Sequence, residues 1–206
     1  MKGKIIFIKE SILSKRDYER FKLNDFIKNG FNIEVLDLTL YNNPNYKEDV
    51  NVYSVSKEII FTPSGKKEIL EYIKAINHNS TIISLSRVNK KTFFIYKKII
   101  QKGNKIGFIK LGTTPDVYIN FKKKTVRNLL RKIKNKLIQK LYGIHSHFYI
   151  VGSKADILSS ENHILFNKKS RYIYYNSLDY DLYLSNEKLN NKKRSTTKYV
   201  VFLDEY

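Results

Sequence analysis

The stretch KIIFIKESILSKRDYERFKLNDFIKNGFNIEVLDL, from Lys4 to Leu38, constrains the fold more than any other part of the chain. Lys4 to Ile8 is a short apolar run, long enough for one buried strand and too short for a helix. A polar loop follows. From about Arg16 to Asn29, Phe21, Leu23, Phe26 and Ile27 recur at roughly helical spacing, and Gly30 stands where a helix C-cap would. Phe31 to Leu38 is a second β-rich run. Strand, loop, helix, glycine and strand within about 35 residues make a βαβ unit, which demands a parallel sheet and a right-handed crossover. Ligands of open parallel sheets lie beyond the carboxyl ends of strands. The polar cluster after the first strand, Lys9, Glu10, Arg16, Asp17, Tyr18 and Arg20, is therefore the first candidate site.

The alternation continues. Strands are expected at Glu58–Thr62, Thr81–Leu85, Lys105–Leu111, His147–Val151 and Arg171–Tyr175. Helices are expected at about Lys66–Asn77 with Ser64 as N-cap, at Lys91–Lys102 closed by Gly103, and at Ala155–Ser159. The longest helix spans about Phe121 to Tyr142. Its apolar positions, Val126, Leu129, Leu130, Ile133, Leu137, Ile138 and Leu141, form one stripe expected to pack on the sheet. The fold class is α/β, a Rossmann-like doubly wound, mostly parallel sheet with helices on both faces. Residues 1–184 form that domain. Ser185–Thr197 reads as a solvated linker, and Lys198–Tyr206 as the first strand of a second domain or an added strand of the first.

Composition narrows the chemistry. With 42% hydrophobic residues and 14% aromatics the chain can build a core. It has no cysteine, which excludes disulfides, thiolate metal sites and cysteine nucleophiles. No apolar run approaches the roughly 20 residues of a membrane span, and the expected location is the cytoplasm. The net charge of +20 suits an anionic partner, yet a Lys-, Ile- and Asn-rich composition also produces it without any partner. The charge clusters on the long helix, where no acidic residue occurs between Asp116 and Asp156. Lys132, Lys134 and Lys136 are the residues expected to face an anionic membrane surface. Gripping nucleic-acid phosphates is the alternative, disfavoured because no RNP-type motif, zinc finger or recognition helix accompanies the charge.

Motif chemistry is sparse. There is no G-x-G-x-x-G after the first strand, no G-x-x-x-x-G-K-[ST], no G-x-S-x-G and no H-E-x-x-H. No cofactor is expected. His145 and His147 would need His163 to complete a metal site, and local hydrogen bonding is the commoner role of such residues, so no metal is expected. Gly112-Thr113-Thr114 and Gly152-Ser153-Lys154 each follow a strand and offer N–H groups to a phosphate. Arg16 and Arg20, four apart on a helix, are able to clamp an anion, or to form a surface ion-pair cluster with Glu19.

The R-D-Y-x-R-F run (Arg16, Asp17, Tyr18, Arg20, Phe21), the E-V-x-D-L strand (Glu34, Val35, Asp37, Leu38), the N-S-L-D-Y-D-x-Y-L run (Asn176 to Leu184) and the terminal Y-V-V-F-L-D-E-Y (Tyr199 to Tyr206) carry a resemblance. Together they resemble a family of bacterial surface-polysaccharide (O-antigen or capsule) biosynthesis proteins similar to the N-terminal half of GT-B glycosyltransferases. The resemblance implies an acceptor-side domain that takes a saccharide or lipid-linked saccharide, with the nucleotide sugar held by a separate second domain. It implies Asp17 as a base for the acceptor hydroxyl, with Arg16, Tyr18, Arg20, Thr113, Thr114, Asp179 and Asp181 on the acceptor, at the inner membrane face. A non-catalytic, membrane-associated module of polysaccharide assembly is the alternative.

Overall fold

The computed structural model describes residues 2–46, 59–110, 133, 136, 137, 139–161 and 163–175. The described strands are β1 (Lys2–Lys9), β2 (Phe31–Asp37), β3 (Ile60–Phe61), β4 (Thr81–Ser84), β5 (Lys105–Lys110), β6 (Phe148–Val151) and β7 (Arg171–Tyr174). They form one sheet in the order β3-β2-β1-β4-β5-β6-β7. Every pairing is parallel. The compact unit ends at Tyr175, and the linker and strand expected at 185–206 lie outside the described residues.

The chain winds one way from β1 through β2 to β3, returns to β4 beside β1, and winds the other way to β7. Right-handed crossovers send the connections of the two windings to opposite faces. Two cores follow. On one face, Ile6, Ile8, Leu36, Ile82, Ile106, Phe108 and Tyr149 pack with Ile69 and Ile73 of α4 (Lys66–Ala75) and with Ile95, Tyr96 and Ile99 of α5 (Phe93–Gln101). On the other, Ile5, Phe7, Ile33, Val35 and Ile83 meet Leu13, Phe21, Leu23 and Phe26. Ile5 to Ile8 are all buried, as a central parallel strand requires. The sheet is thus a doubly wound, Rossmann-like α/β structure with helices on both faces.

Three sequence expectations change. The helix expected over 16–29 is two helices, α1 (Lys15–Arg20) and α2 (Leu23–Lys28), broken where Lys22 takes a left-handed conformation at φ 52°. The break lets Phe21 and Phe26 both reach Phe7, at centroid distances of 6.2 and 6.4 Å. The N-cap of α4 is Gly65, one position after the expected Ser64. Ser64 instead donates from N and Oγ to the Glu68 carboxylate, both at 2.8 Å. Lastly, the apolar stripe of the long helix does not pack inward where it is described, at 133, 136–137 and 139–142. Ile133, Leu137 and Leu141 are exposed. The inward contacts come instead from Gln139, whose Nε2 donates to the carbonyls of Ile164 and Phe166, and from Tyr142, edge-on to Phe93 at 5.7 Å. Val126, Leu129, Leu130 and Ile138 lie outside the described residues.

Two short connections complete the unit: α3 (Thr39–Asn42) follows β2, and α6 (Lys154–Ser160) joins β6 to β7. Among the described residues no helix is long and apolar enough to cross a membrane.

Gly107 on β5 lies under the Phe148 ring, and a Cβ there would overlap the ring. Gly107→Ala should therefore destabilise the domain by about 1–3 kcal/mol. Phe148→Leu should recover part of that loss in a double-mutant cycle read by urea unfolding; full additivity would show that the ring is not the obstacle.

Candidate functional site

The two windings diverge between β1 and β4, so the crevice of this sheet opens at their carboxyl ends. Strand ends there carry polar groups: Lys9 and Glu10 on and after β1, Asp37 on β2, Ser84, Ser86 and Arg87 on or after β4, Lys110 on β5, and the Gly152-Ser153 turn after β6.

Lys9 is buried, and its ammonium is used internally. Nζ donates to Ser11 Oγ at 2.6 Å and to the carbonyls of Ser11 and Ile12, and pairs with Asp17 Oδ2 at 2.9 Å. Asp17 is also the third residue of α1 and closes a capping box: its carboxylate accepts from Ser14 N and Oγ, while its own N–H donates to Ser14 Oγ. Burial raises the Asp17 pKa, but the contacts with Lys9 and Ser14 outweigh it and hold the carboxyl below its ordinary value. A carboxylate so stabilised is a poor proton acceptor. Asp17 thus anchors the loop, which does not favour it as a base.

The rest of α1 divides by face. Tyr18 packs on the core around Phe7, Arg16 is exposed and Arg20 is half-buried. The exposed ion pair on this helix is Lys15 with Glu19, at 3.9 Å, rather than one made by the arginines. Arg16 and Arg20 do share one helix, four residues apart.

Glu10 spans the switch point. Its Oε1 accepts from Ser86 Oγ at 2.7 Å and from Arg87 N at 3.2 Å, tying the end of β1 to the loop after β4. That loop is fixed from below. Ser84 Oγ lies 2.9 Å from the Tyr96 hydroxyl and accepts from Ser86 N, and the Ser86 carbonyl accepts from Tyr96. Burial pushes the Tyr96 phenol up to about 12, so the hydroxyl stays protonated as a donor.

Among the described residues, the ends of β4 and β5 present two cations held differently from Lys9. The Arg87 side chain is exposed, and Lys110 is half-buried. Burial, then the nearby Arg87 guanidinium, lower the Lys110 pKa, and Asp156 only partly opposes them. Sequence reasoning missed both residues, because no local spacing joins the end of β4 to the end of β5. The signal available was positional: each is the first basic residue at or after the carboxyl end of its strand.

The other sequence candidates fall elsewhere. Gly152 N and Ser153 Oγ donate to Asp156 Oδ2, so the turn after β6 gives these donors to its own helix cap instead of to a phosphate. Asp37 is buried and accepts from Thr39 N at 2.8 Å and from the Thr39 hydroxyl. His145 and His147 lie with their rings tilted 33° to each other and 5.1 Å apart before β6, at the opposite edge of the sheet, and His147 Nδ1 accepts from Ile106 N. His163 is apart from them, 3.1 Å from the Tyr149 hydroxyl and 4.2 Å between centroids from Phe108. Burial and then Lys110 lower its pKa to about 3, so the imidazole is neutral at physiological pH. Among the described residues no cluster of three metal-ligating side chains occurs. Thr113, Thr114, Asp179, Asp181, Lys132 and Lys134 lie outside the described residues, whereas Lys136 is described and exposed.

No protein-family model, curated protein or solved structure matches this chain.

Asp17 makes the site's stability pH-dependent with a definite sign. Its folded pKa is depressed, so its contribution is complete above the ordinary value of 3.8 and fades as pH falls through the lower folded value. Asp17→Asn should cost about 1–3 kcal/mol at neutral pH. The gap to the parent chain should close on acidification, as read by urea unfolding at a series of pH values. Parallel curves at every pH would remove the ion pair from the account.

Proposed function

We infer that this chain is the acceptor-side domain of a GT-B-like glycosyltransferase of bacterial surface-polysaccharide synthesis. The observation that carries the reading is the carboxyl edge of a doubly wound parallel sheet, where Arg87 follows β4, Lys110 ends β5, and the guanidinium disfavours the charge of the ammonium. The motifs around Arg16–Phe21 and Asn176–Leu184 add the family resemblance.

In this reading the edge receives the acceptor through its anionic part, a phosphate or pyrophosphate bearing the saccharide. Arg87 is suited to grip phosphate oxygens in a fork, and the ammonium of Lys110 to act as a point charge. Arg16 and Arg20 lie on the helix that follows the same edge. Glu10 and the Ser84–Ser86 turn hold the Arg87 backbone in place, so the loop that carries this cation is pre-positioned. The nucleotide sugar belongs to a second domain, and the transfer needs both.

Nuclear magnetic resonance titration of the 206-residue chain tests this, using a saccharide pyrophosphate and the same saccharide without pyrophosphate. The expected result is shifts at Lys9–Ser11, Ser86, Arg87 and Lys110 for the pyrophosphate compound only. Arg87→Ala with Lys110→Ala should weaken binding by about 10–100-fold, the scale of one or two lost charge-assisted hydrogen bonds. Equal binding of the neutral saccharide, or shifts confined to the His145–His147 edge, would sink the proposal. Sugar transfer by this chain alone from a nucleotide sugar would overturn its assignment as an acceptor half.

A further inference from the structure

The helix that precedes β6 presents an outward face of mixed chemistry. Ile133, Leu137 and Leu141 follow one another at intervals of four, a spacing that on a helix displaces each by only about 40° around the axis from the last. They are 47%, 55% and 75% exposed, which is far from core burial. Lys136 and Lys140, also exposed, run alongside them on the same side. The orientation is set from behind. Gln139 is pinned by two carbonyls at 2.9 and 2.8 Å, and Tyr142 is held against Phe93 with the Lys97 ammonium 4.1 Å from its ring centroid. Those anchors occupy the inner side of the helix and leave the leucines turned away from the sheet.

Three large apolar side chains in line, bordered by lysines with no acidic residue between Asp116 and Asp156, do not suit water alone. They suit an interface that is apolar below and anionic above. Leucine and isoleucine side chains gain by entering the acyl boundary, and lysine stems lie along apolar surface while their ammonium groups stay with the headgroups. We propose that this face docks flat on a bilayer surface rich in anionic phospholipid, with Leu137 and Leu141 inserted and Lys136 and Lys140 at the phosphates. This assignment rests on the exposed face itself and is independent of the glycosyltransferase reading.

The chain has no tryptophan, so one placed on the face reports alone. Leu137→Trp in the full 206-residue chain should shift its emission to the blue with phosphatidylglycerol-containing vesicles, and should be quenched by acyl-brominated lipid. Glu71→Trp, at an exposed position on α4, should do neither. In flotation, Leu137→Ser with Leu141→Ser leaves the charge unchanged and should reduce vesicle binding by about tenfold or more. Lys136→Glu with Lys140→Glu should reduce it most at low salt. Circular dichroism melts confirm that each variant is folded.

Vesicle binding with unmoved Leu137→Trp emission would mean attraction by charge elsewhere, and would overturn the proposal. So would undiminished flotation of the double-serine variant. A blue-shifted emission before any lipid is added, growing with protein concentration, would assign the face to a second copy of the chain instead.

Discussion

Burial of β1 on both faces and along both edges is the constraint from which the other features follow. Ile5 to Ile8 contribute alternately to the two cores, while β2 and β4 pair with the strand on either side. Whatever leaves the carboxyl end of such a strand emerges where the two windings part. Lys9 is the residue that does so, and a buried ammonium at that point must be met by the protein itself. The loop 11–17 curls back to meet it with one hydroxyl, two carbonyls and a carboxylate. That same carboxylate starts α1, so the direction of the first crossover helix is tied to neutralising one buried charge.

The topology distributes cover unequally. Helices α5 and α6 lie on connections of the second winding and share its face, while α1 and α2 serve the other face near β1 and β2. Beyond them, Ile109, Phe148 and Ile150 are only half-buried and Ile173 is 48% exposed. Tyr175, at the end of the compact unit, reaches back so that its hydroxyl donates to the Arg20 carbonyl at 2.8 Å, linking the end of β7 to α1. The Phe148 ring fills the space that Gly107 leaves on this face, which is why a methyl group there has nowhere to go.

Strand positions were legible in the sequence because the period-free apolar runs, KIIFI, TIISL and KIGFI, can be buried only as strands of that length between glycine and polar punctuation. The break at Lys22 was not legible, since it places a non-glycine residue in a left-handed conformation for the sake of packing Phe21 and Phe26 on Phe7. The stripe ending in Leu141 was legible as a face but not as an inward one. Periodicity fixes which residues share a side, whereas contacts such as those of Gln139 decide which side the sheet receives. The crevice was half legible. Lys9 to Arg20 are consecutive and advertise themselves by polarity, but Glu10 meets Ser86 across 76 positions and only the sheet order brings them together.

Charge illustrates the same distinction between amount and arrangement. A net charge of +20 is compatible with an anionic partner and equally with composition alone. What separates the cations is how each is held. Lys9 is a cation the fold has already neutralised, Lys4 is bound to Glu34 at 2.6 Å, and the Lys97 ammonium rests on the Tyr142 ring. Adding or removing bulk salt should change these little, because their partners are at contact distance and partly or wholly shielded. At the mouth of the crevice, burial and then the Arg87 guanidinium instead disfavour the charge on Lys110. A pair of like charges in that position raises the free energy of the empty site and lowers that of an anion-filled one. These two residues therefore mark the crevice as a place for an anion more clearly than the total of thirty-nine basic residues does.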